Sequence, residues 1–196
     1  MKVLTAAGLA VGLTGCANLY VMSHVPLATM AKLATLDADN VEPARLRVAA
    51  RMPQQMRPRD SGVKVTVTIG GRAGTPPQTY TYVLVPASGA DEEQPLRAFA
   101  RAGFTVAAYK FSAQDAQQLA ELQAARRSAD THGSSGTLSA SVDACHTEPL
   151  PKGPLLTSTY LSTSPGKYFT LLDDLDLRAI TTAKELATTV PPCPPG

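Results

Sequence analysis

The segment Val63-Lys64-Val65-Thr66-Val67-Thr68-Ile69 constrains the fold more than any other stretch of this chain. Its β-branched apolar side chains alternate with Lys and Thr, so an extended backbone places all of them on one face. A helical backbone would scatter them around the axis. Such a strand needs neighbours to pair with and a layer to cover its apolar side. Gly70-Gly71-Arg72-Ala73-Gly74 and Thr75-Pro76-Pro77 then form a turn into Thr79-Tyr80-Thr81-Tyr82-Val83-Leu84-Val85, which predicts a hairpin with a long connection.

The same period recurs on both sides. Leu46, Val48 and Ala50 alternate with Arg45, Arg47, Ala49 and Arg51, the pattern of a half-buried strand. Phe104 to Phe111 predicts a further strand, while Pro95 to Ala102 fits either a short helix or an edge segment. Leu138, Ala140, Val142 and Ala144 alternate with polar residues. Leu155 to Leu161 and Tyr168 to Leu172 flank Ser162-Thr163-Ser164-Pro165-Gly166-Lys167, the turn of a second hairpin. One long helix stands out: Ser112 is its N-cap with Asp115 three residues on, and Ala113, Ala116, Leu119, Ala120 and Leu122 form a narrow, Ala-rich stripe suited to close packing on a sheet. The fold class is therefore α+β with β dominant, a mainly antiparallel sheet or sandwich carrying one long helix.

The N-terminus reads differently. Lys2, the apolar run Val3 to Leu13 and the small residues after it have the order of a secretory signal peptide, and the run is too short for a permanent span, which needs about 20 residues. Leu13-Thr14-Gly15-Cys16 resembles the lipobox of bacterial lipoproteins. That resemblance implies cleavage before Cys16, a diacylglycerol on its thiol, and firm membrane anchoring by two or three acyl chains. Ala17 and Asn18 lack the Asp that retains such proteins at the inner membrane of enteric bacteria, which implies the outer membrane, facing the periplasm. Residues 1–15 are then the signal, 16–44 the lipidated lead-in, and 45–196 a single β-rich domain. Within the lead-in, Pro26 to Leu36 places Leu27, Met30, Leu33 and Ala34 on one helical face, expected to pack against the domain.

With Cys16 assigned to lipid, Cys145 and Cys193 remain as an even pair in an oxidising compartment, and a disulfide between them is expected. It would pin the Pro-rich tail Pro191-Pro192-Cys193-Pro194-Pro195 to the body. A Cys145–His146 dyad is disfavoured, because adjacent strand residues point to opposite faces.

Little else in the sequence carries chemistry. Net charge is only +2 and no basic run occurs, which argues against nucleic acid as a partner. Trp is absent. There is no Gly-x-Ser-x-Gly elbow, His-Glu-x-x-His helix, phosphate loop or dinucleotide fingerprint. Ser164-Pro165-Gly166-Lys167 matches Ser-x-x-Lys, but Pro-Gly builds a turn where that chemistry needs a helix. Asp173, Asp174 and Asp176 could begin a calcium site but more simply protect a strand edge. His24, His132 and His146 have no metal-ligand spacing. No catalytic residue, metal or cofactor is assigned. The expectation is a non-enzymatic module that contacts another envelope protein through Arg45, Arg47, Arg51 and exposed tyrosines. The alternatives are a carrier of a small amphipathic ligand held between sheet and helix, near Ala116, Leu119 and Leu122, and, more remotely, a periplasmic hydrolase.

Overall fold

The structure, a computed structural model, describes residues 20–21, 23–29, 41–69, 76–128, 136–164 and 166–195. In chain order the elements are β1 (Arg47–Pro53), β2 (Met56–Ile69), β3 (Gln78–Val83), β4 (Val85–Ala87), α1 (Ala90–Leu96), β5 (Phe104–Lys110), α2 (Ala113–Ser128), β6 (Gly136–His146), β7 (Leu156–Ser162), β8 (Tyr168–Asp176), α3 (Leu177–Ile180) and α4 (Ala183–Thr189). Short 3-10 turns at Pro43–Arg45 and Arg97–Phe99 precede β1 and follow α1. Two sheets result, a five-stranded one ordered β4-β5-β1-β7-β8 and a three-stranded one ordered β3-β2-β6. Their ladders are all antiparallel.

Both expected hairpins form. Lys64 pairs with Val83 and Ile69 with Gln78 in β2–β3, and Ser162 pairs with Tyr168 at the tip of β7–β8. The chain passes from one sheet to the other at Gln54 and Gln55, so β1 and β2 lie in different layers. Between them runs the main core, where Val63, Val65 and Val67 of β2 meet Leu46, Val48, Leu161 and Phe111, closed on one side by Ala116 and Leu119 of α2. A second apolar group, Ala50, Met52, Met56, Ala144 and Leu155, continues it toward Leu186 and Val190 at the C-terminus.

The structure departs from the sequence reading in three ways. First, β1 is buried on both faces rather than one. Ala49 faces away from the main core, yet it is buried with Ala87, Ala108 and Tyr160 beneath Leu96 of α1 and Phe99. These alanines leave room for the cover to approach. Second, the α+β, β-dominant class holds, but among the described residues the short helices α1, α3 and α4 accompany the long α2. Each has its own local cause. The Asp176 side chain accepts from the Arg178 N–H to start α3, Thr182 and Glu185 form a reciprocal capping box for α4, and Gly89 enters α1 with φ 114°. Third, the stripe of α2 keeps Ala116 and Leu119 buried and Ala120 and Leu122 half-buried as expected, but differs at one end and gains a polar member. Ala113 is exposed, whereas Gln123 is buried and donates to the Val41 carbonyl at 3.0 Å.

The bulge in β2 needs its glycine. A Cβ on Gly62 would stand 2.5 Å from the Asp143 carbonyl and 2.8 Å from that of Arg59. The irregularity between Pro58 and Val63 brings β6 that close.

Candidate functional site

The densest group of charged and polar side chains lies at the far edge of the five-stranded sheet, where β8 carries an irregularity. Thr159 pairs with Leu172 and Thr157 with Leu175, so Ser158 faces two residues, Asp173 and Asp174. Asp174 has φ 46°, a left-handed conformation that Asp adopts more readily than most residues. The bulge points the two amides in different directions. The Asp174 N–H donates inward to Ser158 Oγ at 3.0 Å, while the Asp173 N–H donates to the His24 carbonyl at 2.9 Å.

Two arginines hold this bend. Arg51 stands opposite Ser158 in the β1–β7 register, and its Nη2 donates to Ser158 Oγ at 2.9 Å and to Asp174 Oδ1 at 2.7 Å. Its guanidinium lies 5.9 Å from the centroids of both Phe104 and Tyr160. Arg101 reaches both carboxylate oxygens of Asp174, at 3.2 and 3.0 Å, and sits 4.9 Å from the Phe104 centroid. Burial of Arg51 makes its pair with Asp174 less screened than a surface pair, whereas the Arg101–Asp174 pair is exposed to solvent. Ser158 is buried and its hydroxyl is bonded to the Arg51 guanidinium, the Asp173 carboxylate and the Asp174 N–H, so its bonds fix the backbone of β8.

What the bend positions is the N-terminal segment. The His24 carbonyl receives the Asp173 N–H, and the Thr29 hydroxyl donates to the Thr170 carbonyl, so the segment lies along the otherwise open edge of β8. Val21 and Thr29 are buried there, and the Thr29 N–H closes a turn on the Pro26 carbonyl at 2.8 Å. Leu27, expected to pack inward, is instead 84% exposed. The helical turn at 27–29 presents Thr29 to the sheet, which turns Leu27 away. The rest of the expected helix, at 30–36, lies outside the described residues, as do Cys16 and His132.

The other predicted residues are dispersed. Cys145 and Cys193 are bonded, and the tail beside them is held by the His146 N–H on the Pro191 carbonyl (3.0 Å) and the Cys193 N–H on the His146 carbonyl (2.9 Å). Arg45 belongs to a 3-10 turn instead of a strand and pairs on the surface with Glu42 at 2.8 Å. Arg47 pairs with Glu92 of α1 at 2.7 Å, both largely buried. Two of the three contact candidates thus use their guanidinium groups inside the protein. None of the six tyrosines is exposed, in contrast to the expectation. Tyr160 is the most buried of them, and at Tyr168 burial first, then the nearby Glu92 carboxylate, push the hydroxyl up to about 12 against the opposing effect of Arg47.

Asp176 does not join its neighbours on a ligand. Its carboxylate accepts the Leu155 and Arg178 amides at 2.8 and 3.0 Å. Among the described residues, no three His, Cys, Asp or Glu side chains gather around a common point. The crevice between α2 and the three-stranded sheet, lined by Leu119, Leu122, Val67 and Leu138, has about 20 Å³ of free space, room for about one water. An open groove of about 600 Å³ lies beside the disulfide, walled by Arg57, His146, Glu148 and the tail prolines.

Sequence reading missed Ser158, Arg101 and Glu92. A faint signal existed for the pairing: Ala49 interrupts an otherwise arginine-bearing strand face, and a lone small residue there marks a face that something covers. The chain matches no protein-family model, no curated protein and no solved structure.

Proposed function

We propose that the chain is a lipid-anchored module of a bacterial cell envelope, seated on the outer membrane facing the periplasm, that works by contact with another envelope protein. The cysteines carry the reading. Of three in the chain, two are joined to each other, and the third is the lipobox residue Cys16. A bridge between Cys145 and Cys193 suits an oxidising compartment, which is where a lipobox would deliver the chain. The fastening of His24 and Thr29 to β8 also supports it, because a lipid on Cys16 would then hold the folded domain itself.

The contact surface this reading favours is the free edge of β3 and its continuation into β4. Among the described residues β3 pairs only with β2, and Val83 and Val85 are exposed large hydrophobics beside it. An open edge with apolar side chains can accept a strand or loop from a partner. Arg45, exposed before β1, remains available for contact as well.

Mass spectrometry of the mature N-terminal peptide tests the anchor. A diacylglyceryl group on Cys16 is the expected result, and an uncleaved or unmodified Cys16 overturns it. A photo-crosslinker at Val83 in living cells tests the contact. One discrete heterologous adduct, lost on Val85→Lys, is expected; adducts no different from those at an exposed position on α2 refute it.

A further inference from the structure

Leu27 is the most exposed large hydrophobic among the described residues, and it sits on the segment that a lipid on Cys16 would pull toward the bilayer. We infer that the membrane covers this corner of the domain, with the Leu27 side chain in the headgroup boundary and the N-terminal segment that caps the β8 edge facing the lipid. The inference rests on the anchor reading above and adds an orientation to it.

Chain length carries the argument. From Cys16 to Tyr20 there are four residue steps, which span at most about 14 Å in any conformation. A domain of about 150 residues has a radius of gyration near 15 Å, so the tether is shorter than the body it holds. Such a tether cannot let the body turn freely above the lipid. The chain is tied down immediately beyond it, since Val21 is buried, the His24 carbonyl accepts from Asp173, and Thr29 is bonded to β8. The corner that carries Tyr20 and Leu27 therefore faces the surface in which the acyl chains are embedded. A leucine with its side chain in water at that position gains by entering the boundary between headgroups and acyl chains.

The absence of Trp makes the test direct. Mature acylated protein carrying Leu27→Trp is reconstituted into vesicles of phosphatidylethanolamine and phosphatidylglycerol containing a dibrominated phosphatidylcholine. Thr81→Trp, on the outer face of the three-stranded sheet, controls for the affinity of an indole for lipid. The expected result is a blue-shifted emission from residue 27 that bromine quenches several-fold more than emission from residue 81. Acylated protein whose residue 27 stays unquenched overturns the orientation and leaves the anchor standing. Equal quenching at both positions also overturns it. A blue shift without bromine quenching means that a protein, a second copy or a partner, covers Leu27, and the inference fails. Unacylated Cys16 by mass refutes the anchor and this inference together.

Discussion

Replacing Ser158 by Ala should loosen the edge of the sheet by an amount that the bonding pattern fixes. Ser158 is 1% exposed, and its Oγ accepts the Asp174 N–H at 3.0 Å and Arg51 Nη2 at 2.9 Å while donating weakly to Asp173 Oδ1 at 3.4 Å. Alanine leaves the Asp174 N–H without its acceptor in a site closed to water, which costs about 1–3 kcal/mol. Arg51 also loses a charge-assisted bond worth at most about 1.5–3 kcal/mol, but it keeps the Asp174 carboxylate, so only part of that is lost. The expected destabilisation is about 2–4 kcal/mol by urea unfolding at unchanged m-value. The nearby Thr157→Ala is the control. Its hydroxyl bond to the Leu175 carbonyl is long, 3.4 Å, and its loss should cost under about 1 kcal/mol. A local readout separates this account from general damage. The Asp173 amide, which donates to His24, should exchange faster with solvent in the Ser158 variant by more than the global loss explains, whereas the core amide of Val65 should speed up only in proportion to the loss of global stability. If Ser158→Ala costs no more than Thr157→Ala, or if the Asp173 amide keeps its protection, the bend is held by something other than this hydroxyl.

Further outcomes follow from other parts of the fold. Cys193→Ser opens a bridge whose partners are 48 residues apart; loop entropy predicts a loss of about 4 kcal/mol, or a fall in melting temperature of about 8–16 °C, and a loss under about 1 kcal/mol would refute that estimate. Gly62→Ala forces a Cβ against two backbone carbonyls and should destabilise the domain by about 1–3 kcal/mol in the same urea assay, with Ser61→Ala as the neighbouring control. Alkaline pH should destabilise the protein through Tyr168. Its hydroxyl is held up to about 12 in the fold against 10 outside it, so the folded state binds more protons across that window and stability falls as pH rises through it. Tyr168→Phe removes a buried hydroxyl that has no hydrogen-bond partner among the described residues; it should leave neutral-pH stability unchanged or raised and flatten the loss between pH 10 and 12. Thr182→Ala breaks the capping box of α4 at a cost of about 1 kcal/mol, read by thermal melting.

Strand periodicity was enough to place β2, β3, β5 and the β7–β8 hairpin, because each carries its pairing signal within a few neighbouring residues. The disulfide was legible for a different reason: a count of three cysteines leaves few arrangements once one has been assigned. What the sequence hid was the second cover on β1. Alternation of two says which side chains share a face, but not whether a later segment closes over the polar one. Arg47, Ala49 and Arg51 share such a face, and it read as a solvated surface suited to contact with a partner. In the fold α1 lies over Ala49, and the flanking arginines turn to Glu92 on one side and Asp174 on the other. The partners sit about 45 and 120 residues further along the chain, beyond the reach of any local pattern. The same limit applied to the lead-in. Its stripe of Leu27, Met30, Leu33 and Ala34 suggested an inward face, but which face is inward depends on the edge that receives it. A bend at Asp173 and Asp174, itself set by Ser158 and Arg51, supplies that edge, so the exposure of Leu27 is determined by four residues distant from it in sequence. An arginine on a strand face that also carries a lone small residue, as Arg47 and Arg51 share theirs with Ala49, is therefore a poor candidate for partner contact until the cover over that residue is known.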